Sequence, residues 1–402
     1  MAYIPPHKRQ TTGSPLLNPT PTPDFLNVKP SFGEQRRKKN HFRGKNIVYR
    51  RFSILKWFSV GLANDSLFSS LVRLQPVCTE YFERYSGQTP LALVLMEGVC
   101  KETNELIDAP WLVVSEKVKP DILLSFQHMK SEMEEADMAQ VKPSVVARFG
   151  KVLFYGNSSI CEESLETKPP MNETTVRKME RNFYTNIPAA YMDYIENQVV
   201  EKLGLEYVQG KELYNVGLSD MLQPDSTVSC KCTVAKDHNK IELYKIESNR
   251  VRHMVADMSC LGKSSDLRLI LCTKKIKMIL SDEEINEIKD LIGSAILDSE
   301  VQGGLRWPLG KDSSSGRYAA IGIGHTTSKS YRNSPIRFKL RHADRFDLRS
   351  STGEVTREIF LKMPGIVSQL RKQTVEENLV FEMLENNLKL IWEHCLLDGS
   401  SS

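Results

Sequence analysis

The sequence predicts an α+β fold in which helices pack against a mostly antiparallel β-sheet, behind a disordered basic N-terminal tail. First, runs rich in β-branched and aromatic residues follow one another from Leu91 onward with short polar turns between them, and short connections favour antiparallel pairing. Second, segments that begin at Asp282 and Val375 carry apolar residues at helical spacing. Third, residues 1–45 have no sustained period of either kind, which is typical of a segment that cannot form a core.

Residues 46–398 are expected to form one globular region, with a candidate division in the polar stretch 157–181. The chain has 402 residues, of which 40% are hydrophobic and 26% charged, enough for a substantial core. No apolar run approaches the roughly 18 residues of a membrane span, and repeated prolines disfavour a helical targeting segment near the N-terminus. We therefore expect no membrane contact, a location in the nucleus or cytoplasm, and reduced cysteines.

The first elements after the tail are predicted to be helices and then strands. Asn64 or Asp65 is a suitable N-cap for a helix that ends at Leu74, and Pro76 fits the first turn of a second helix that ends at Gly87. Four strands are predicted next, with the sequences LALVLMEGV, WLVVSEKV, DILLSFQHM and SVVARFGKVLFYG. These four strands would begin the sheet.

The middle of the chain is predicted to continue the sheet between two helices. The first starts at Pro188 and ends at Gly204. The second ends near Asp298 and opens with Ser281 and Glu284, which form a capping box. Between them lie four predicted strands, TVSCKCTVA, IELYKIES, RVRHMVADM and DLRLILCTK.

The C-terminal part is predicted to contain a loop, a hairpin and a helix. Residues 301–335 are rich in Gly and Ser, which predicts a functional loop or a poorly ordered insertion. The hairpin runs as PIRFKLRHADRFDLRS, turns at 351–353 and returns as EVTREIFLKM. The helix covers 375–397.

The positive charge of the chain is concentrated in the tail. Residues 1–45 contain nine Lys and Arg and two Asp and Glu, so nine minus two gives +7, and a total of +4 leaves −3 for the rest. Cations on a flexible segment bind phosphates by releasing counterions, and an aromatic ring among them stacks on a base. A nuclear-import peptide and a solubilising tail are equally good interpretations. The candidate nucleic-acid-binding residues are Lys8, Arg9, Arg36, Arg37, Lys38, Lys39, Phe42, Arg43 and Lys45.

A second group of cations lies on the predicted strands. In the hairpin, Arg337, Lys339 and Arg341 alternate with apolar residues, so they share one face of the sheet. A row of cations repels itself unless carboxylates or a polyanion lie opposite. A solvated sheet face is the plain interpretation, and an anion-binding surface is the alternative. The candidate anion-binding residues are Arg250, Arg252, Arg268, Arg337, Lys339 and Arg341, with Lys274 beside them.

Short segments of the sequence resemble known families. MAYIPPHKR, ARFGKVLFYGN and RHADRFDLRSSTGEV resemble an uncharacterised plant family, a domain of unknown function that covers most of such chains. Residues Tyr3 to Arg9 also resemble the YIPPHLR element in the tails of DEAD-box RNA helicases, which is linked to docking on translation factors. Lys8 occupies the position of the leucine in that element.

Long antiparallel strands lined with Arg, Lys and Glu also resemble the tunnel-type triphosphatases. Those enzymes hold a metal with Glu-x-Glu pairs and bind phosphates with basic side chains. None of the predicted strands here carries a Glu-x-Glu pair. The resemblance therefore implies a binding module, and we predict neither a metal site nor a cofactor.

Three functional hypotheses follow. The first is a non-enzymatic protein or adaptor whose tail contacts RNA or another polyanion, together with an unidentified protein partner. The alternative is an enzyme or binding module for phosphorylated or nucleotide ligands, which requires Arg and Lys from several strands to converge in a concave pocket with at least two carboxylates. The third is a scaffold that exposes an apolar stripe on residues 375–397.

Overall fold

The computed structural model describes residues 47–77, 89–96, 106–131, 141–155, 172–222, 227–235, 240–248, 250–274, 280–308, 314–372 and 374–398. These ranges contain one large sheet with helices packed against it, which confirms the predicted α+β class. None of the helices in these ranges is both long enough and apolar enough to cross a membrane.

The strands account for most of the described chain. In chain order they are β1 (Ile47–Val60), β2 (Val72–Pro76), β3 (Leu91–Leu95), β4 (Ser144–Tyr155), β5 (Glu180–Tyr184), β6 (Glu206–Asp220), β7 (Thr227–Val234), β8 (Ile241–Ser248), β9 (Arg250–Cys260), β10 (Asp266–Thr273), β11 (Ile296–Leu297), β12 (Leu305–Arg306), β13 (Ser314–Ser315), β14 (Tyr318–Arg332), β15 (Arg337–Asp347) and β16 (Thr352–Lys362). Strands β11 and β12 pair with each other, and the others belong to the large sheet.

The helices lie between the strands. They are α1 (Phe68–Leu71), α2 (Pro110–Ser131), α3 (Glu173–Lys178), α4 (Ala189–Tyr194), α5 (Asp282–Gly293), α6 (Pro364–Leu370) and α7 (Glu377–Leu390). Two 3-10 turns lie at Asp65–Leu67, before α1, and at Gln302–Gly304. Both α4 and α7 continue into π-helical turns, at Ile195–Val199 and Ile391–Cys395, and the first of these is followed by a short α-helical segment, Val200–Lys202.

The main path of the sheet has the order β1-β9-β10-β4-β16-β15-β14-β6-β7-β8. Its neighbours are antiparallel except for the pair β1 and β9. Strand β8 is seven places from β10 along this path, a separation of roughly 34 Å in a flat sheet. Lys274, directly after β10, nevertheless forms an ion pair with Glu247 on β8. The sheet is therefore strongly curled, with a concave inner face and a convex outer face.

Most of the helices cover the outer face. One core cluster joins α2, α4 and α7 to the outward side chains of β4, β9, β10, β15 and β16. A second cluster joins α5 to β6, β7, β8 and β14, and includes the buried residues Cys230 and Cys232. Each outer side chain on these strands alternates with an inner one, because successive side chains of a strand point to opposite faces.

One end of the inner face is covered by the chain itself. Val152 and Phe154 share a face of β4 with Arg148 by alternation, and they pack with Trp57, Phe183 and residues of β2 and β3 in a third cluster. Strand β5 pairs with the second half of β4, whereas β16 pairs with the first half. These apolar side chains do not cover the rest of the inner face, and that part carries the charged side chains.

The prediction of two strands in 110–131 is wrong, because this segment is the helix α2. Val114, Val118, Ile122 and Phe126 are all buried, and their spacing of four is helical. The β-branched residues favoured strand, and Pro120 suggested an interruption. Proline has no backbone N–H, so one carbonyl group in the preceding turn of the helix lacks its donor. Pro120 is exposed, so that carbonyl group lies on the side of the helix that faces water.

The prediction of a loop over 301–335 is wrong for residues 318–332, which form β14 in the middle of the sheet. Its Gly and Ser residues disfavour strand by propensity, but pairing with β6 on one side and β15 on the other outweighs that preference. Gly324 is needed there, since a Cβ at this position would lie 3.0 Å from the carbonyl oxygen of Asp344. Strand β6 was not predicted either, because Gly210 and Gly217 interrupt its pattern.

Several element ends also differ from prediction. Asn64 caps the turn before α1, as expected, but the helix ends at Leu71 and β2 follows, so the prediction up to Leu74 was too long. The capping box of α5 is confirmed, although the helix ends at Gly293 and Ile296 lies in β11. The predicted helix from Pro76 to Gly87 and the polar stretch 157–181 lie largely outside the described residues.

The hairpin and the C-terminal helix match their predictions. β15 and β16 pair in register around a turn in which Ser351 has a φ of 52°. The apolar stripe of the C-terminal helix, with Val380, Leu384 and Leu388, is buried in the first core cluster. This burial contradicts the scaffold hypothesis, which required the stripe to be exposed.

Candidate anion-binding site

Basic side chains from many strands converge on the inner face of the curled sheet. We call this set the inner cation cluster. Its members are Arg148, Lys211, Lys231, Lys245, Arg252, Lys274, Lys339, Arg341, Arg345 and Lys362. The members are electrostatically linked, because Arg148 interacts with Arg252 and Arg341, and Lys339 interacts with Arg341 and Lys231. The cations therefore lie on a concave surface.

Glu358 on β16 is the centre of the first part of the cluster. Its side chain is 1% exposed and accepts hydrogen bonds from Arg341 Nε at 2.7 Å, Arg345 Nη2 at 2.9 Å and Arg148 Nη2 at 3.2 Å. Burial alone would raise the pKa of Glu358, but the three guanidinium groups outweigh it and hold the pKa well below its usual value. One carboxylate therefore faces three permanent positive charges.

The guanidinium groups around Glu358 are fixed by further contacts. Arg148 and Arg341 lie over the ring of Phe360, at 4.7 and 4.6 Å from its centroid. Arg345 Nη1 donates to Thr356 Oγ1 at 2.9 Å. These cation–π contacts and hydrogen bonds preorganise the cations, which lowers the entropic cost of binding an anion.

Glu247 on β8 is the centre of the second part. Its side chain is 4% exposed, and Lys231 and Lys245 lie 3.3 and 2.9 Å from it, with Lys274 as a third partner. Burial acts to raise the pKa of Glu247, but these lysines lower it to about 2. Here again three cations share one carboxylate, so the excess charge is positive.

Lys339 on β15 lies between the two parts. The charges that act on it most strongly are all positive and belong to Arg341, Lys231, Lys362 and Lys211. Burial and these like charges lower its pKa to about 8. A cation held in this way gains more from an incoming anion than a cation that already has a carboxylate partner.

Two of the buried arginines keep an unused donor. Arg148 and Arg252 are 8% and 5% exposed, and the Nε of each is buried with no hydrogen-bond partner among the described residues. Burial lowers the pKa of both guanidinium groups, but an arginine remains charged in a protein. An unsatisfied buried donor costs about 1–3 kcal/mol, and both Nε atoms are shielded from solvent.

The structure separates the predicted anion-binding residues into groups. Arg252, Lys339 and Arg341 lie in the cluster, as does Lys274. Arg268 is on the same face but is held by Asp257, at 2.5 and 2.7 Å, so its charge is already balanced. Arg337 shares the face of Lys339 by alternation, whereas Arg250 begins β9 and its side chain lies outside what the structure describes.

Sequence reasoning missed five cations and both carboxylates of the cluster, namely Arg148, Lys211, Lys231, Lys245, Lys362, Glu247 and Glu358. The available signal was alternation, because Arg148 lies between the outward residues Ala147 and Phe149 in a strand that is otherwise apolar. A cation at an inward position of a buried strand needs a partner. Glu358 and Glu247 gave no such signal, since neither has a second glutamate two residues away.

The candidate nucleic-acid-binding residues of the tail, from Lys8 to Lys45, lie outside the described residues. Within the described ranges, no group of three His, Cys, Asp or Glu side chains is placed to hold a metal ion. Glu358 and Glu247 are each engaged by three cations. Buried thiols in the described part of the chain are free and lie in the core.

The comparisons with known proteins give a family and partial structural likenesses. The family model for a domain of unknown function, DUF7903, matches residues 41–395, and this confirms the predicted membership of an uncharacterised domain family. No curated protein matches the chain.

Among solved structures, the RNA triphosphatase Pct1 of S. pombe, in complex with the Spt5 CTD, has a TM-score of 0.43 and 10% identity, covering 70% of this chain and 94% of its own. The PH1819 protein of Pyrococcus horikoshii has a TM-score of 0.25 and 8% identity, covering 53% and 89%. A putative adenylate cyclase of Bacillus halodurans has a TM-score of 0.22 and 11% identity, covering 51% and 87%. Each of these three TM-scores is below 0.5, so the likenesses carry no conclusion about the function of this chain.

Proposed function

Because this chain belongs to the DUF7903 family, whose function is unknown, we propose from its side chains that it binds a small anion with several phosphate groups. The observation that carries the proposal is the imbalance on the concave inner face. Six cations of the inner cation cluster divide between two carboxylates, three around Glu358 and three around Glu247. A compact polyanion supplies the missing negative charge.

The chemistry of the cluster favours phosphate over other anions. Guanidinium groups form paired hydrogen bonds with phosphate oxygens, and lysines add point charges. Lys339 offers an ammonium group whose strongest charged neighbours are cations. Arg148 and Arg252 are buried, whereas the side chains of Lys231 and Arg341 are each 27% exposed. The cluster therefore includes both buried cations and cations that solvent reaches. A phosphate chain of several units matches a row of cations better than a single carboxylate or sulfate does.

The test is calorimetric titration of the full chain with inorganic tripolyphosphate. Lys339→Gln removes a cation whose strongest charged neighbours among the described residues are all positive, and we expect the affinity to fall at least about tenfold, as for the loss of one charged hydrogen bond. This substitution relieves repulsion in the unliganded protein, so the fold is expected to remain intact. Circular dichroism and the midpoint of thermal unfolding check that expectation.

Lys289→Gln is the matched control, because Lys289 is an exposed lysine on α5, on the outer side of the sheet. Its affinity for tripolyphosphate should equal that of the unmodified chain. Equal losses in the two variants would mean that net charge alone attracts the ligand. No measurable binding by the unmodified chain at low salt would refute the proposal.

The basic tail supports a second candidate function, contact with RNA or another polyanion. This proposal rests on the charge of +7 in residues 1–45, against −3 in the remainder. A dense run of cations with Phe42 behind it suits nonspecific binding to a phosphate backbone. In this proposal the protein acts as a nucleic-acid-associated adaptor, and the inner cation cluster has a separate ligand.

A further inference from the structure

Two large apolar side chains are exposed on the inner face beside the inner cation cluster. Tyr49 and Leu55, on the edge strand β1, are 45% and 55% exposed. Tyr49 is in register with Arg252 and Leu55 with Val255, so both lie on the face of the sheet that carries Arg252. Val255 packs with Ile270 and Cys272 in a small buried cluster. Tyr49 and Leu55 therefore continue, on the edge strand, the apolar surface that Val255, Ile270 and Cys272 form on the neighbouring strands.

The tyrosine ring is held next to a buried cation. Arg252 Nη1 donates a hydrogen bond to Tyr49 Oη at 2.9 Å, and its guanidinium carbon lies 5.8 Å from the ring centroid. Arg252 also interacts electrostatically with Arg148. An aromatic face and a set of phosphate-binding cations are thus fixed side by side, by a contact that leaves much of the ring accessible.

From this juxtaposition, we propose that the ligand is a nucleoside triphosphate whose base stacks on Tyr49 and contacts Leu55, while its phosphates contact the inner cation cluster. The proposal rests on the proposed function and specifies its ligand class. Inorganic polyphosphate would leave Tyr49 and Leu55 in water. A planar base has an apolar face that suits both side chains, and stacking on an aromatic ring accepts any of the bases.

The experiment compares ATP with inorganic tripolyphosphate on the full chain by calorimetric titration without added metal ions. The unmodified chain should bind ATP about tenfold more tightly than tripolyphosphate. Tyr49→Ala should remove that preference, so that ATP and tripolyphosphate bind it with about equal affinity, and its circular dichroism spectrum and thermal midpoint check that it is still folded. Tyr49→Phe keeps the ring and should keep the preference.

Tyr207→Ala is the matched control, because Tyr207 is 60% exposed and packs against Tyr331 of the first core cluster, on the outer side of the sheet. It should behave as the unmodified chain. Equal affinities for ATP and tripolyphosphate before mutation, or a preference that survives Tyr49→Ala, would overturn the inference and leave the proposed function standing. Equal loss of both ligands in Tyr49→Ala would assign Tyr49 a structural role and also overturn it. Failure of the unmodified chain to bind either ligand would overturn the proposed function itself.

Discussion

Glu358 is the residue on which the stability of the inner face depends most. It is nearly inaccessible, and Arg148, Arg341 and Arg345 all donate to it. Glu358→Gln keeps the shape of the side chain but leaves the three cations without their negative partner. Removing one member of a buried ion pair costs about 3 kcal/mol or more. We expect the free energy of unfolding, measured in urea, to fall by about that amount.

An added polyanion should offset part of this loss. Tripolyphosphate stabilises the folded state in proportion to its affinity for that state, and the variant has three cations for it to contact. The increase in thermal midpoint with tripolyphosphate should therefore be larger for Glu358→Gln than for the unmodified chain. Glu382→Gln, an exposed position on α7, should change neither quantity. A smaller increase in Glu358→Gln would argue that Glu358 positions the arginines for the ligand.

Lys339 should make binding depend on pH in the alkaline range. Burial and neighbouring cations lower its pKa to about 8, whereas a bound polyanion favours the charged form and raises it. The complex then takes up a proton above about pH 8, and the affinity falls as the pH rises through the pKa of the bound form. The affinity is nearly independent of this group below about pH 7, where both states are charged.

Proton uptake is measured by titrating tripolyphosphate into the chain at about pH 8.5 in buffers with different ionisation enthalpies. The unmodified chain should take up more protons than Lys339→Gln, which lacks the group. The difference between the two isolates Lys339 from the ionisation of the ligand. Identical uptake in both proteins would exclude Lys339 as the titrating group.

The helix α2 is the element in which sequence and structure disagree most clearly, and its burial pattern is testable. Ile122 is fully buried and Leu124 is 44% exposed. In a strand, residues two apart point to the same face, whereas in a helix they diverge by about 200°. Ile122→Ala should cost about 2–5 kcal/mol in urea unfolding, and Leu124→Ala less than about 0.5 kcal/mol. Equal costs would support the strand prediction.

The elements that sequence predicted well are those with a local signal. The capping box at Ser281 and Glu284 and the alternation in β15 are readable because each depends on a few neighbouring residues. Strand β14 could not be predicted in this way, since its Gly and Ser residues are stabilised by pairing with β6 and β15. The same difference between local and long-range signals explains why only part of the candidate site was predicted. Lys339 and Arg341 alternate visibly, but the convergence of Lys231 and Glu247 with them depends on the curl of the whole sheet.

At the scale of the whole molecule, the inner cation cluster and the tail are two separate concentrations of positive charge. The cluster is built on strands and has fixed geometry, so it suits a compact ligand. The tail holds Arg36, Arg37, Lys38 and Lys39 in succession, which suits an extended polyanion. The two proposals therefore predict different ligands and different responses to salt.

Replacing Arg36, Arg37, Lys38 and Lys39 with Gln in the full chain should separate these functions. Nonspecific RNA binding at low salt should weaken by about tenfold or more, and the slope of log affinity against log salt should become less steep, because fewer counterions are released. Affinity for tripolyphosphate should stay unchanged, since the cluster is untouched. Electrophoretic mobility shifts over a salt series measure the first, and calorimetry the second. If RNA binding survives while Lys339→Gln abolishes it, the inner face is the nucleic-acid site and the tail has another role.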